Sequence, residues 1–119
     1  MHYDLEDRTR KFSKAIIRTL RIIASNELNR NIINQLLRSA TSVGANYCEA
    51  NGASSKKDFV NKIYICRKEI QETKYWIELL AEVNTTIKTD LRILWKEAQE
   101  LTLIFNKIVS SAQKNKLTP

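Results

Sequence analysis

The chain has 119 residues, of which only two are glycine and one is proline, and its formal net charge is +7. So few turn-forming residues argue against a β-sandwich or a doubly wound α/β fold, because both need many more connections. The length suits one domain spanning residues 1–119, and the composition favours an all-α fold of long helices with short connections.

The composition also bears on location. The start of the chain is charged and lacks the apolar centre of a secretory signal, and no run of 18 apolar residues occurs. Cys48 and Cys66 are too few, and too ordinary in their spacing, to indicate a disulfide framework or a metal site. We therefore expect a cytoplasmic protein with reduced thiols, without a secretory signal or a membrane span.

The first predicted helix covers about residues 4–24. Its apolar or small positions step by four and three from Leu5 to Ile23, which keeps them on one helix face. The opposite side carries a cluster of basic residues: Arg10, Lys11, Lys14, Arg18 and Arg21.

The second predicted helix covers about residues 28–51 and has small side chains in its middle. Gly44 lies inside it, where glycine costs about 1 kcal/mol relative to alanine. A glycine at such a site usually marks the close approach of a neighbouring helix. The Asn51-Gly52 pair is typical of a helix end.

The third predicted helix covers about residues 55–82, and its core stripe from Phe59 to Leu80 continues for three heptads without a slip. A second set of apolar residues lies opposite that stripe: Tyr64, Ile65, Tyr75, Trp76 and Leu79. Because Tyr and Trp are favoured in interfaces, this set predicts a homo-oligomer, with a two-fold dimer as the general default. The alternative is that the second helix wraps round and covers part of the set.

The fourth predicted helix covers about residues 88–113, with Arg92 and Lys96 on the side away from its apolar stripe. Four such helices with short connections predict an antiparallel up-down-up-down four-helix bundle. In this bundle the first and last helices are neighbours, so their basic sides would merge into one positive face.

A merged positive face is the footprint expected of a protein that contacts phosphate groups. Six residues are predicted to contact RNA or DNA: Arg10, Lys14, Arg18, Arg21, Arg92 and Lys96. The alternative is a solvated face that only keeps the protein soluble, since helices normally place Lys and Arg outside.

Four polar residues are predicted to fasten the second helix to the third: Asn46, Glu49, Asp58 and Lys62. Asn46 and Glu49 lie three positions apart, on or beside the packed side of the second helix, where buried polar groups need partners. A ligand or RNA contact is the less favoured alternative for these residues.

No combination of residues typical of catalysis is present. The sequence has no phosphate-binding glycine loop and no metalloprotease motif, and its single histidine is His2. Glu69 and Glu72 are predicted to form structural ion pairs with nearby basic residues rather than a metal site. We therefore expect no enzyme, no metal and no cofactor.

The segment from Arg38 to Leu80 carries three short motifs. They stand as R-x-A-x-S-V-G-A-N-x-x-E-A from Arg38, S-K-x-D-F from Ser55, and K-E-x-x-E-x-x-Y-W-I-E-L-L from Lys68. Together they resemble the bacterial four-helix-bundle family named for proteins encoded in intervening sequences of large-subunit rRNA genes. Cys48 stands where one branch of that family has a basic residue, which argues against nucleic-acid contact by the second helix itself.

The resemblance implies a homopentamer rather than a dimer. It also implies kinship with the accessory variability protein of diversity-generating retroelements, a basic pentamer that binds nucleic acid and a reverse transcriptase. The leading hypothesis is a non-enzymatic, oligomeric accessory protein that binds the backbone of RNA or DNA, and the resemblance adds a reverse transcriptase as a candidate partner. The alternative is a scaffold whose basic face docks a partner protein without touching nucleic acid.

Overall fold

The computed structural model describes residues 4–117, with side chains described as far as Gln113, so His2 lies outside the described residues. This part of the chain forms four α-helices and contains no strand, which confirms the predicted all-α class with four helices. The helices are α1 (Leu5–Leu20), α2 (Glu27–Asn51), α3 (Lys56–Val83) and α4 (Lys88–Leu117). A short 3-10 turn at Thr85–Ile87 precedes α4, and the molecule is 54 Å long and 21 Å wide.

The starts of three helices are set by side-chain caps. The side-chain oxygens of Asp4, Asn26 and Ser55 each accept a hydrogen bond from the backbone N–H three residues later, at 3.2, 2.8 and 3.1 Å respectively. These bonds satisfy N–H groups that have no partner within the helix. As a result α2 and α3 begin within one residue of the positions that the sequence predicts.

The first helix ends four residues earlier than predicted. After Leu20 the backbone tightens, and the N–H groups of Ile22 and Ile23 donate to carbonyls only three residues back, at 3.3 and 3.2 Å. The carbonyl of Ala24 then accepts a hydrogen bond from the side chain of Asn29 at 2.9 Å. Asn29 is 1% exposed and also forms hydrogen bonds with Asn84 at the end of α3. The loop between α1 and α2 is therefore hydrogen-bonded, through Asn29, to the end of α3.

Each helix packs against the next one along the chain, and residue numbers rise along one helix as they fall along its neighbour. Contacts between α2 and α3 run through Asn29–Asn84, Ser39–Thr73 and Glu49–Lys62. Contacts between α3 and α4 run through Glu78–Trp95, Lys74–Gln99 and Tyr64–Gln113. Among the neighbouring helix pairs of the bundle, the first and last helices share the fewest contacts.

The core is a single cluster that all four helices share. The largest side chains buried completely or almost completely are Leu5, Ile16, Leu36, Ile63, Ile70, Ile77, Leu80, Leu91, Leu101 and Phe105. Most of them are the positions that the three-and-four stepping assigns to the inner faces. Within the described side chains, no buried nitrogen or oxygen atom lacks a hydrogen-bond partner.

Gly44 lies at a close approach between α1 and α2. A Cβ atom built on Gly44 would lie 3.4 Å from Oγ1 and 3.5 Å from Cβ of Thr9. The close approach expected from the sequence is therefore present, and α1 is the neighbouring helix. A side chain larger than alanine would have to displace Thr9, which is 1% exposed and bonded through its hydroxyl to the carbonyl of Leu5.

Candidate nucleic-acid interface

A row of exposed cations follows the outward side of α1 and its C-cap. Its members, which we call the α1 cation row, are Arg10, Lys14, Arg18 and Arg21. None of them forms an ion pair with another described residue. At 1.5 Å per residue the row is about 16 Å long. The neighbouring Lys11 differs, because its Nζ lies 2.8 Å from the carboxylate of Asp7 and lowers the pKa of that group.

The junction between α1 and α4 is acidic on the α4 side. Arg8 of α1 donates two hydrogen bonds of 2.8 Å to Glu97 and a third of 2.6 Å to Glu100. The hydrogen bond to Glu97 raises the pKa of Arg8 above its ordinary value. Asp90 lines the same junction beside Arg18. Carboxylates therefore separate the basic sides of the two helices, and the merged positive face that the sequence predicted does not form.

Arg92 and Lys96 lie on the other side of α4, in an open groove of about 640 Å³ that we call the α3–α4 groove. Its α4 wall carries Lys88, Arg92 and Lys96, its α3 wall carries Glu78 and Glu82, and its apolar lining is Ile77, Ala81, Leu91 and Trp95. The indole Nε1 of Trp95 donates to Glu78 at 3.0 Å across the groove. The six residues predicted to contact nucleic acid are thus exposed but divided between two separate surfaces.

The predicted oligomer interface on α3 is less exposed than the sequence suggests. Among its five residues only Tyr75 is classed as exposed, at 53%. Tyr64, Trp76 and Leu79 pack against the core of their own chain, and Ile65 is half-buried. The hydroxyl of Tyr64 also accepts a hydrogen bond from Gln113 of α4 at 2.9 Å. Much of this stripe is therefore already covered within one chain.

Two isoleucines at the α1–α4 junction are more exposed than any residue of the α3 stripe. Ile22 is 66% exposed and Ile93 is 63% exposed, and both line a shallow hollow together with Arg18. Sequence reasoning missed this pair, which we call the isoleucine patch. Ile22 follows the true end of α1, and Ile93 stands between two core positions of α4, so neither belongs to an apolar stripe.

The four polar residues predicted to join α2 and α3 do not form one network. Lys62 Nζ donates to Glu49 Oε2 at 2.9 Å, and this pair does connect the two helices, although Glu49 is exposed. Asn46 donates instead to the carbonyl and hydroxyl of Ser42 in its own helix, at 2.8 and 2.9 Å. Asp58 accepts from the hydroxyl of Ser54 at 3.0 Å, so it serves the start of α3.

A stronger polar connection between α2 and α3 was not found from the sequence. Arg38 of α2 reaches Glu69 at 3.2 Å and also pairs with Glu72, both on α3. The side chain of Glu69 is 8% exposed, and Trp76 donates its indole N–H to Glu72 at 2.9 Å. The sequence predicts ion pairs between these carboxylates and nearby basic residues, and Lys68 Nζ lies 3.7 Å from the carboxylate of Glu69. We call this group the Arg38 cluster.

Replacement of Trp76 by phenylalanine is expected to make stability less sensitive to acid. The indole N–H is the largest cause that lowers the pKa of Glu72, followed by Arg38. A carboxyl group with a lowered pKa adds stability above its unfolded pKa, and this contribution is lost as the pH falls through its folded pKa. We expect the melting temperature of Trp76→Phe to fall between pH 6 and pH 3 by roughly 2 °C less than that of the wild type. Equal falls would contradict this assignment.

The described side chains form no metal site and no disulfide bond. Residues 4–113 contain no group of three or more His, Cys, Asp or Glu side chains placed to hold a metal ion. Cys48 is exposed and Cys66 is buried, and both are free thiols. Burial raises the pKa of Cys66 to about 12, which suppresses its thiolate. In the part of the chain that the structure describes, no helix is long and apolar enough to cross a membrane.

Comparison with other proteins places the chain in a family. The sequence pattern of the 23S rRNA-intervening sequence protein family matches residues 2–107. A crystal structure of a protein of unknown function from the S23 ribosomal protein family of Bacteroides thetaiotaomicron VPI-5482 is similar, with a TM-score of 0.76 and 30% sequence identity. The similarity covers 87% of this chain and 96% of that one, whereas no curated protein matches in sequence. The chain therefore belongs to the 23S rRNA-intervening sequence protein family.

Proposed function

We propose that this protein is a non-enzymatic, oligomeric accessory protein that binds the sugar–phosphate backbone of RNA or DNA through the α1 cation row. The observation that carries the proposal is the row itself, four exposed cations without ion pairs among the described residues. One strand of B-DNA presents a phosphate about every 3.4 Å, so a row of about 16 Å faces roughly five phosphates. Phosphate contacts carry no direct sequence information, so binding should not depend strongly on sequence.

The salt dependence of binding tests this proposal directly. Affinity for a structured RNA and for duplex DNA would be measured by fluorescence anisotropy across a series of salt concentrations. Four phosphate contacts predict a slope of log affinity against log salt of about −3.6 for duplex DNA. Binding that is undetectable at low salt, or indifferent to salt, would contradict the proposal. The family description, which refers to 23S rRNA, supports a role close to nucleic acid.

We infer in addition that the four helices form an antiparallel up-down-up-down bundle that assembles into a homo-oligomer. The opposed numbering of the helix contacts supports the antiparallel arrangement, and the family resemblance suggests five copies. The isoleucine patch is the better candidate for the interface, because it is more exposed than the α3 stripe. Exposed apolar groups of this kind often mark contacts between proteins.

The double variant Ile22→Glu, Ile93→Glu is expected to lower the mass in solution to that of one chain, 13.8 kDa. Two buried charges at each contact would have to be desolvated without partners, which disfavours association. Light scattering would compare this variant with Tyr75→Glu, which tests the exposed part of the α3 stripe. An oligomeric mass that only Tyr75→Glu lowers would assign the interface to α3, and a monomeric wild type would refute assembly.

The second candidate function is a scaffold that docks a partner protein such as a reverse transcriptase. The position of the isoleucine patch beside Arg18 favours it, since a mixture of apolar and Arg side chains suits protein interfaces. Pull-down with and without nuclease separates the two functions. Loss of the partner after nuclease treatment supports nucleic-acid binding, whereas a complex that survives nuclease supports the scaffold.

A further inference from the structure

We propose that the α3–α4 groove binds one unpaired nucleotide of a single-stranded nucleic acid, with its base against Trp95 and its phosphates on the α4 wall. The inference rests on the proposed nucleic-acid binding and adds a second, chemically distinct site to it. The groove volume of about 640 Å³ is within the range of small-ligand sites, about 300–1,000 Å³.

The α4 wall offers three cations in one line. Lys88, Arg92 and Lys96 follow one another at every fourth residue, so their attachment points lie about 6 Å apart along the helix. All three are exposed, and none of them forms an ion pair with another described residue. A line of separated cations along a groove is the arrangement that follows a sugar–phosphate backbone.

The aromatic component is the ring of Trp95. On one side Lys74 Nζ lies 5.6 Å from the ring centroid and donates to Gln99 at 2.8 Å, and neither residue lines the groove. Ala81 and Arg92 do line it, so we infer that the other face of the ring is turned to the groove. The hydrogen bond from Nε1 to Glu78 holds the ring in this orientation. A base can stack on such a fixed aromatic face whatever its identity.

The acidic wall determines on which side the phosphates lie and which bases the groove prefers. Glu78 and Glu82 repel phosphates, which leaves the α4 wall as the only favourable side for the backbone. Their carboxylate oxygens accept hydrogen bonds, and adenine, cytosine and guanine carry exocyclic amino groups that donate them. Uracil has no amino group and offers only its ring N3–H, and its single ring stacks less strongly on Trp95 than the double ring of adenine. The groove should therefore bind an adenine nucleotide more tightly than a uracil nucleotide.

The small side chain of Ala81 offers a way to change the shape of the groove without changing its charge. Its methyl group lines the groove, and a leucine at this position would narrow the groove without changing any charge. Ala81→Ser is the matched control, because serine keeps the groove open. The double variant Arg92→Gln, Lys96→Gln removes the cations from exposed positions and does not depend on how Ala81→Leu folds.

The experiment measures binding of labelled twelve-nucleotide oligo(A) and oligo(U) to the full chain by anisotropy. We expect Ala81→Leu to bind oligo(A) about ten-fold more weakly than the wild type, which corresponds to the loss of one stacked base. Ala81→Ser should bind as the wild type does. Arg92→Gln, Lys96→Gln should make the salt slope for oligo(A) less steep by about 1.4. The preference for oligo(A) over oligo(U) should disappear in Ala81→Leu.

Different results would refute the groove site alone or the groove site together with the proposed function. Wild-type binding in both groove variants, together with lost binding in an α1 charge-reversal variant, would overturn the groove site and leave the proposed function intact. Absence of salt-dependent binding in every variant would overturn both. A changed mass of Ala81→Leu in light scattering, with unchanged oligo(A) affinity, would show that a second copy of the chain occupies the groove and would also overturn the proposal.

Discussion

The double variant Lys14→Glu, Arg18→Glu is expected to bind structured RNA and duplex DNA about a hundred-fold more weakly than the wild type at moderate salt. Both residues lie in the middle of the α1 cation row and are exposed. Their reversal removes two phosphate contacts and places two carboxylates against the backbone. The slope of log affinity against log salt for duplex DNA should become less steep by about 1.8, because each lost contact contributes about 0.9.

A matched control separates the row from net charge. Lys56 and Lys57 are also exposed, and they begin α3, where acidic residues suit the positive end of the helix dipole. The variant Lys56→Glu, Lys57→Glu changes the formal net charge from +7 by the same four units, to +3. We expect it to retain most of the wild-type affinity and slope. Equal losses in the two variants would mean that binding follows overall charge rather than the α1 cation row.

Replacement of Arg38 by methionine is expected to lower the free energy of unfolding by about 2–3 kcal/mol. The change leaves Glu69, whose side chain is 8% exposed, without its partner on α2. Lys68 lies 3.7 Å away on the same helix, so it offsets only part of the loss. Chemical denaturation of the wild type and the variant at neutral pH would measure the difference.

A double-mutant cycle identifies the buried carboxylate as the cause. Arg38→Met combined with Glu69→Met replaces both groups by apolar side chains of similar length, and no uncompensated charge then remains at Glu69. We expect the double variant to be more stable than Arg38→Met alone, since it removes the buried carboxylate that Arg38→Met leaves without its partner on α2. If the two losses simply add, the Arg38–Glu69 contact contributes nothing specific to stability.

Helix positions were largely predictable because they depend on residues close together in sequence. The start of α3 needs only Ser55 and the residues just after it, and the buried stripe from Ile63 to Leu80 repeats every three or four positions. The exception, the early end of α1, depends on a distant residue. Asn29 donates a hydrogen bond to the carbonyl of Ala24. It also forms a hydrogen bond with Asn84, which lies at the end of α3.

The functional surfaces were less completely predictable from the sequence than the helix positions. The exposure of Arg10, Lys14, Arg18 and Arg21 follows from the helical period, so the α1 cation row could be found from the sequence. The separation of Arg92 and Lys96 from that row could not, because it depends on how far α4 is rotated about its axis against α1 and α3. That rotation places Glu97 at Arg8 and turns Arg92 toward Glu78 and Ala81.

By itself, the sequence determined the all-α class, the number of helices, most of their bounds and the family. Each of these follows from local periodicity, from capping residues or from short motifs. The tertiary structure decided which charges share a surface, which carboxylates Arg38 meets, and how much of the aromatic stripe on α3 stays exposed. These features depend on the relative rotation and offset of whole helices, which the packing of the entire core sets and no single segment encodes.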